Sequence, residues 1–138
     1  MLAEKFFLDS NVMIYAYFKQ DGKKQHISKQ LISQNATIST QVLQELSNTL
    51  HRKIKVDYSI VRLILQECLK NCDLKTNTSD TVFKALDIAE KYGFSFYDSL
   101  IVAAALESKC KILYSEDMQH NQQIENLTIK NPFVVEVY

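Results

Sequence analysis

The sequence predicts a three-layer α/β/α sandwich with a parallel central sheet, and three observations predict it. Short apolar runs (FFL, ATIS, KILY) alternate with segments of helical periodicity, the pattern of strands joined by helical crossovers. One segment, SLIVAAAL, is apolar nearly all round, which suits a helix buried against a sheet. With 46% hydrophobic and 23% charged residues, two glycines and one proline, the composition is that of a compact, helix-rich globular protein.

Residues 5–9 read as a short buried strand, and 12–18 as a helix closed by the turn Gln20-Asp21-Gly22. A strand leading straight into a helix opens a βα unit. A second helix over 26–33 and a second strand over 36–39 follow, then a third helix over 41–52 with Val42, Leu43, Leu46 and Leu50 along one side. Asp57 caps a long helix reaching about residue 71, a short strand occupies 72–75, and Ser79 caps a helix that stops at Gly93. The apolar helix covers 96–108, a strand 111–114, a short helix 118–124, and the segment PFVVEV a final strand. No repeat, linker or low-complexity stretch interrupts residues 1–138, so a single domain is expected. Right-handed crossovers cover such a sheet on both faces, and functional groups gather outside the carboxyl ends of its strands.

Sixteen Lys and Arg balance sixteen Asp and Glu, which excludes attraction to polyanions by overall charge and leaves only local sites. Cys68, Cys72 and Cys110 are odd in number and lack CxxC spacing, as expected of reduced thiols in a cytoplasmic protein. Cys68 and Cys72, four apart on a helix, read as core residues. No apolar run approaches the roughly 20 residues that span a bilayer, and no basic, apolar and cleavable leader opens the chain. A soluble protein that is not exported and has no membrane partner is the expectation.

Most acidic residues sit among Lys, Gln, Asn and Ser, where charge stays hydrated. Four do not. Asp9 interrupts the apolar FFLDSNVMIY at a strand end, and Asp117 follows KILY in the same way. Glu45 flanks the apolar stripe of the third helix, and Asp98 lies in the first turn of the most apolar one. Each has a plain structural reading: Asp9 as a turn residue, Glu45 as a solvated flank, Asp98 in a capping box with Ser95, and Asp117 as the cap of the helix after it. Together they have another, because a parallel fold brings all four towards one sheet edge. There they would repel and raise one another's pKa unless a cation intervened. An all-oxygen set suits Mg²⁺, with Mn²⁺ as a substitute, and no Cys/His cluster suggests zinc.

With FFLDSNVMIY, the acid in STQVLQELSNTL, FYDSLIVAAAL and LYSEDMQHNQQIENLTIKNPF in order along the chain, the sequence resembles the PIN-domain ribonucleases, and among them the VapC-like toxins of toxin–antitoxin pairs. The resemblance implies a metal-dependent endoribonuclease that hydrolyses RNA phosphodiesters. It also implies a homodimer held inactive by a small DNA-binding antitoxin. Its acidic quartet maps to Asp9, Glu45, Asp98 and Asp117, with Asp9, Asp98 and Asp117 as primary metal ligands. Glu45 then completes the site directly, through water, or by acting on the attacking water. Ser10, Asn11 and Ser115 orient carboxylates or waters, and Glu116 stands at a turn whose direction the sequence leaves open. Relatives with this ending often carry Gly where Asn121 stands, and Asn tolerates the left-handed conformation such a position needs.

Weaker signals have two readings each. The run His51-Arg52-Lys53-Ile54-Lys55 either grips an RNA backbone or complements a helix C-terminus. His120 suits a loop or cap better than catalysis, and His26 carries no signal. Tyr15, Tyr17 and Phe18 suit core or partner contact better than base stacking. Among rival functions, a phosphatase with a strand-end nucleophile needs a second Asp where Asn11 stands. A degenerate PIN domain serving as a binding module is expected to have lost an acid, and none is lost. A PIN nuclease of RNA processing, outside any toxin system, is the remaining alternative.

Overall fold

The computed structural model describes residues 4–18 and 20–134, and its elements alternate largely as expected. Strand β1 (Phe6–Leu8) runs into helix α1 (Ser10–Met13), which tightens into a 3₁₀ turn (Ile14–Ala16) and ends before Phe18. Asp21 caps helix α2 (Gly22–Ile32), its carboxylate accepting from the N–H groups of Lys23 and Lys24, so the expected turn is a helix start. Then come β2 (Thr37–Ser39), α3 (Thr40–Arg52), α4 (Tyr58–Asn71), β3 (Asp73–Lys75), α5 (Ser79–Tyr92), α6 (Phe96–Glu107) and β4 (Ile112–Tyr114). Thr78, not Ser79, caps α5 through a reciprocal box with Thr81. Gly93 ends that helix at φ 78°, a left-handed conformation that favours glycine.

The chain after β4 departs from expectation. In place of a helix over 118–124, a bend leads into a hairpin of β5 (Gln123–Ile124) and β6 (Leu127–Lys130). The cause is local: Asn121 sits at φ 70° and Glu125 at φ 54°, and neither conformation continues a right-handed helix. The expected role of Asn121 in a left-handed position holds. β6 is the last strand among the described residues, Pro132 and Phe133 lie in a turn followed by a bend at Val134, and residues 135–137 of PFVVEV lie outside them.

The six strands are ordered β3-β2-β1-β4-β6-β5, parallel except for the β5–β6 hairpin at one edge. The sheet is therefore mixed, with a parallel centre. All three residues of β1 and of β2 are buried, and successive strand side chains point to opposite faces, so both faces of the centre are covered. Helix α3 packs on α1, α4 and β2, while α6 packs on α5 and β2. The three-layer expectation holds.

Phe7, Leu8, Val12, Leu46, Leu50, Ile101 to Ala105, Leu113 and Ile129 anchor the core. Burying each large aliphatic side chain contributes about 2 kcal/mol by removing its apolar surface from water. Cys68 and Cys72 are buried free thiols, the former in contact with the Tyr17 hydroxyl at 2.9 Å. Among the described residues no helix is long and apolar enough to cross a membrane.

Gly93 offers a clean test of this construction, because a Cβ added there meets nothing within 4 Å. Only the backbone conformation opposes a side chain. Gly93→Ala is expected to lower unfolding free energy by about 1 kcal/mol in urea titrations, and Gly93→Asn by less.

Candidate active site

The strand order places a topological switch beside β1: the chain proceeds to β2 and β3 on one side and returns to β4 on the other. Leu8 pairs with Tyr114 across β1 and β4, so the next residues, Asp9 and Ser115, leave the sheet side by side. The Asp9 N–H donates to the Tyr114 carbonyl at 3.0 Å, and the Ser115 N–H to the Lys130 carbonyl at 3.0 Å. These bonds fix the crevice that open α/β sheets use for ligands.

Asp9 is only 5% exposed. Its Oδ1 accepts from the Ser10 N–H at 2.7 Å, which makes it the cap of α1, and its Oδ2 accepts from the Ser115 hydroxyl at 3.0 Å. The Asn11 amide nitrogen approaches the same Oδ2 at 3.5 Å, and also donates to Ser115 Oγ and Asp117 Oδ2, each at 3.2 Å. One amide group thus ties Asp9 to Asp117. The turn reading of Asp9 is correct but incomplete, because half of its carboxylate faces across the sheet. The capping reading of Asp117 fails, since no helix follows it.

Glu45 projects from the first half of α3. Its Oε1 accepts from the Ser10 hydroxyl at 3.0 Å and its Oε2 from Gln41 Nε2 at 3.4 Å. Gln41 also donates to the Tyr97 carbonyl at 3.1 Å, joining Glu45 to the first turn of α6, where Asp98 stands. In that turn Ser95 Oγ accepts from the Asp98 N–H at 3.2 Å. Among the described residues only this half of a capping box forms, so the cap uses the Asp98 backbone and not its carboxylate, whose charge reaches Asp9. Sequence reading missed Gln41; its one signal was an amide four residues before Glu45 on the same helix face.

The electrostatics follow from the crowding. Burial, then Glu45 and more weakly Asp98, push the Asp9 carboxyl from its ordinary 3.8 up to about 7, against the donors Ser115 and Ser10. Glu116 points elsewhere: Tyr15 OH donates to its Oε1 at 2.7 Å and Lys24 pairs with its Oε2. His120 accepts from the Asn131 N–H at 2.9 Å, a loop contact.

Among the described residues no three His, Cys, Asp or Glu side chains already stand together as a metal-binding group. Neutral donors from Ser10, Asn11, Gln41 and Ser115 lie between the carboxylates instead. The donor set nevertheless fits a hard cation. It is all oxygen, its central carboxyl is held at about 7 by burial and then by its neighbours' negative charge, and Gln41 Oε1 is a buried acceptor with no donor. A hydrated divalent ion meets both needs.

The raised Asp9 value carries a pH dependence whose sign is fixed. The folded state holds this proton more tightly than the unfolded chain, so metal-free protein loses stability as pH rises from 3.8 towards about 7 and is level above it. Denaturation of chelator-treated protein across that range is expected to follow this trend, and Asp9→Asn to flatten it. An unchanged slope in Asp9→Asn would remove Asp9 as the cause.

The same architecture recurs in solved toxins. The structure of VapC20 of Mycobacterium tuberculosis, described as a sarcin–ricin-loop-cleaving toxin, aligns with TM-score 0.67 and 17% identity over 82% of this chain and 90% of that one. A toxin–antitoxin complex from Klebsiella pneumoniae aligns with TM-score 0.70 and 14% identity over 95% and 99%. DNA-bound VapBC of Salmonella typhimurium gives 0.68 and 17% over 94% and 99%. At such identities these likenesses concern the fold, and no curated relative matches the sequence. The PIN domain family matches residues 6–123, from the first strand through all four carboxylates to the start of the closing hairpin, and the chain belongs to that family.

Proposed function

We propose that the protein is a Mg²⁺-dependent endoribonuclease, with Mn²⁺ as a substitute, and that it is the toxin of a toxin–antitoxin pair. The observation that carries this reading is Asp9, a buried carboxyl held at about 7 by burial and by Glu45 and Asp98, and tied through Asn11 to Asp117. Such concentrated negative charge exceeds what capping α1 requires and suits a divalent ion. In this reading Asp9, Asp98 and Asp117 hold the metal and Glu45 completes the site. When bound, the ion supplies charge stabilisation to the phosphodiester and a more acidic water.

The chain's own groups do the rest. Ser115 and Asn11 orient Asp9, and Ser10 and Gln41 hold both oxygens of Glu45 so that it faces the crevice at a fixed angle. A Glu fixed in this way suits binding the ion or accepting a proton from the attacking water. The family and the toxin-like fold support the nuclease class. Neighbours solved as toxin–antitoxin complexes, one of them DNA-bound, support a DNA-binding antitoxin as partner; in this reading the antitoxin is small and the pair acts in the cytoplasm. Inhibition by an antitoxin arginine suits this crevice, since guanidinium pairs with carboxylates bidentately and competes with the metal. Homodimerisation is supported by α5, which exposes Val82, Phe83 and Leu86 along one helix.

Purified protein free of inhibitor is expected to cut RNA with Mg²⁺ or Mn²⁺ and to stop in EDTA; undiminished cutting in excess chelator would overturn the metal mechanism. Asp98→Asn is expected to lower cleavage on the order of a hundredfold or more while keeping or raising the melting temperature of the apo protein. Expressed alone, the wild type is expected to arrest bacterial growth and Asp98→Asn to be harmless. Phe83→Glu is expected to shift the mass in light scattering from dimer to monomer.

A further inference from the structure

Beside the carboxylate crevice, the described residues form an open cavity of about 600 Å³ between the 3₁₀ turn after α1 and the end of α3. Ser10, Asn11, Tyr15, Phe18, Lys53 and Glu116 are among the residues that line it. We propose that this cavity, given the ribonuclease reading above, is a subsite for the unpaired base of a nucleotide beside the scissile phosphodiester, with Lys53 on its phosphate.

Four observations carry the proposal. First, Tyr17 packs against the core, whereas Tyr15 and Phe18, from the same short segment, line the cavity together with Ile14. Their rings stack on each other, centroids 6.1 Å apart and 24° from parallel, so they present aromatic surface of defined orientation. Every base has a π face, and stacking on such a surface tolerates sequence. Second, the cavity is continuous with the crevice: Ser10, which donates to Glu45, and Asn11, which binds Asp9 and Asp117, belong to both. RNA lying across the carboxylates can send a neighbouring nucleotide this way, where Tyr15 and Phe18 offer stacking rings.

Third, the charges fit a nucleotide. Glu116 in the wall is neutralised by Lys24 and bound by the Tyr15 hydroxyl, so it fixes the Tyr15 ring without repelling phosphate. Lys53 in the lining belongs to the basic run His51-Arg52-Lys53-Ile54-Lys55, giving a cation for the phosphate of the bound nucleotide. Fourth, the size selects an unstacked base, since a duplex keeps its bases inside and offers no single ring to a cavity. The substrate class is therefore RNA with at least one unpaired nucleotide at the cut.

The test begins with wild-type protein, Mg²⁺ and total bacterial RNA, from which the cut is mapped; absence of any cut overturns the ribonuclease reading itself. Synthetic RNA spanning the cut is then compared with copies carrying one abasic nucleotide at successive positions. One abasic position beside the cut is expected to raise KM about ten- to a hundredfold for wild type, the range of a lost base-aromatic stack. Phe18→Ala is expected to raise KM on intact RNA by a similar factor, with kcat little changed and no further loss on that abasic copy. Phe18→Trp is expected to restore binding, and Phe18→Leu, which keeps apolar volume without the ring, is expected not to. Lys53→Gln is expected to reduce the salt dependence of binding by about one phosphate contact. The proposal is overturned if Phe18→Ala, with unchanged circular dichroism, keeps the wild-type KM, or if its effect multiplies with that of every abasic copy. A Phe18→Ala protein that cuts RNA normally but escapes a protein inhibitor also overturns it, and assigns the cavity to that inhibitor.

Discussion

The whole site depends on one strand pairing, that of β1 with β4. Leu8 opposite Tyr114, and the Asp9 N–H on the Tyr114 carbonyl at 3.0 Å, decide that Asp9 and Ser115 emerge as neighbours. A slip of one residue would turn Asp9 to the other face of the sheet, since strand side chains alternate. It would also separate Asn11 from Asp117. β6 locks the far side through Ser115 and Lys130, so three strand ends hold one another in place. Burial of β1 on both faces is what makes the register stiff.

That rigidity permits an unfavourable burial. Asp9 accepts hydrogen bonds from Ser10 and Ser115 and a longer one from Asn11, yet its proton affinity still rises to about 7. Neutral donors offset part of the lost hydration; they do not offset two nearby carboxylates. A fold that only needed a cap for α1 would do better with Ser or Thr at this position. The excess negative charge is tolerable because stability comes from the apolar layers beneath it, and under the proposed function a bound cation would offset it.

Much of this was legible in the sequence. A carboxylate inside an apolar run is costly wherever it lies, so Asp9, Asp98 and Asp117 stood out before any neighbour was known. Gly93 announced a helix end, and SLIVAAAL a helix without a wet face; Ala103, Ala104 and Ala105 are fully buried in α6. The closing hairpin was not legible, because its turn uses Glu125 in a left-handed conformation without the Asn-Gly or Gly that usually marks one. Gln41 was invisible for a different reason: an amide on a helix becomes a bridge only when another helix supplies a carbonyl, here that of Tyr97. Strand order decides such meetings, and short strands encode it weakly. The same limit hid the cavity, since Tyr15 and Tyr17 look alike in sequence and turn to opposite surroundings in the fold.

Asn11 shows how closely the chemistry constrains one side chain. Its Oδ1 accepts from the Glu116 N–H at 3.1 Å, which fixes the amide orientation and turns Nδ2 towards Asp9, Ser115 and Asp117. The position needs an acceptor on one side and a donor on the other, and only an amide of this length supplies both. An Asp here would still accept from Glu116 but would have no proton to offer, and would add a charge beside a carboxyl already held at about 7. The side chain that excludes a second nucleophilic aspartate is the one that lets two metal-binding candidates sit close without a cation. It also orients the loop: with Glu116 N–H drawn towards Asn11, the Glu116 side chain goes to Lys24 and Tyr15, and Asp117 turns back to the crevice. Two adjacent acids thereby take separate tasks, one bracing the wall of the cavity and one facing the carboxylates, from a single backbone hydrogen bond.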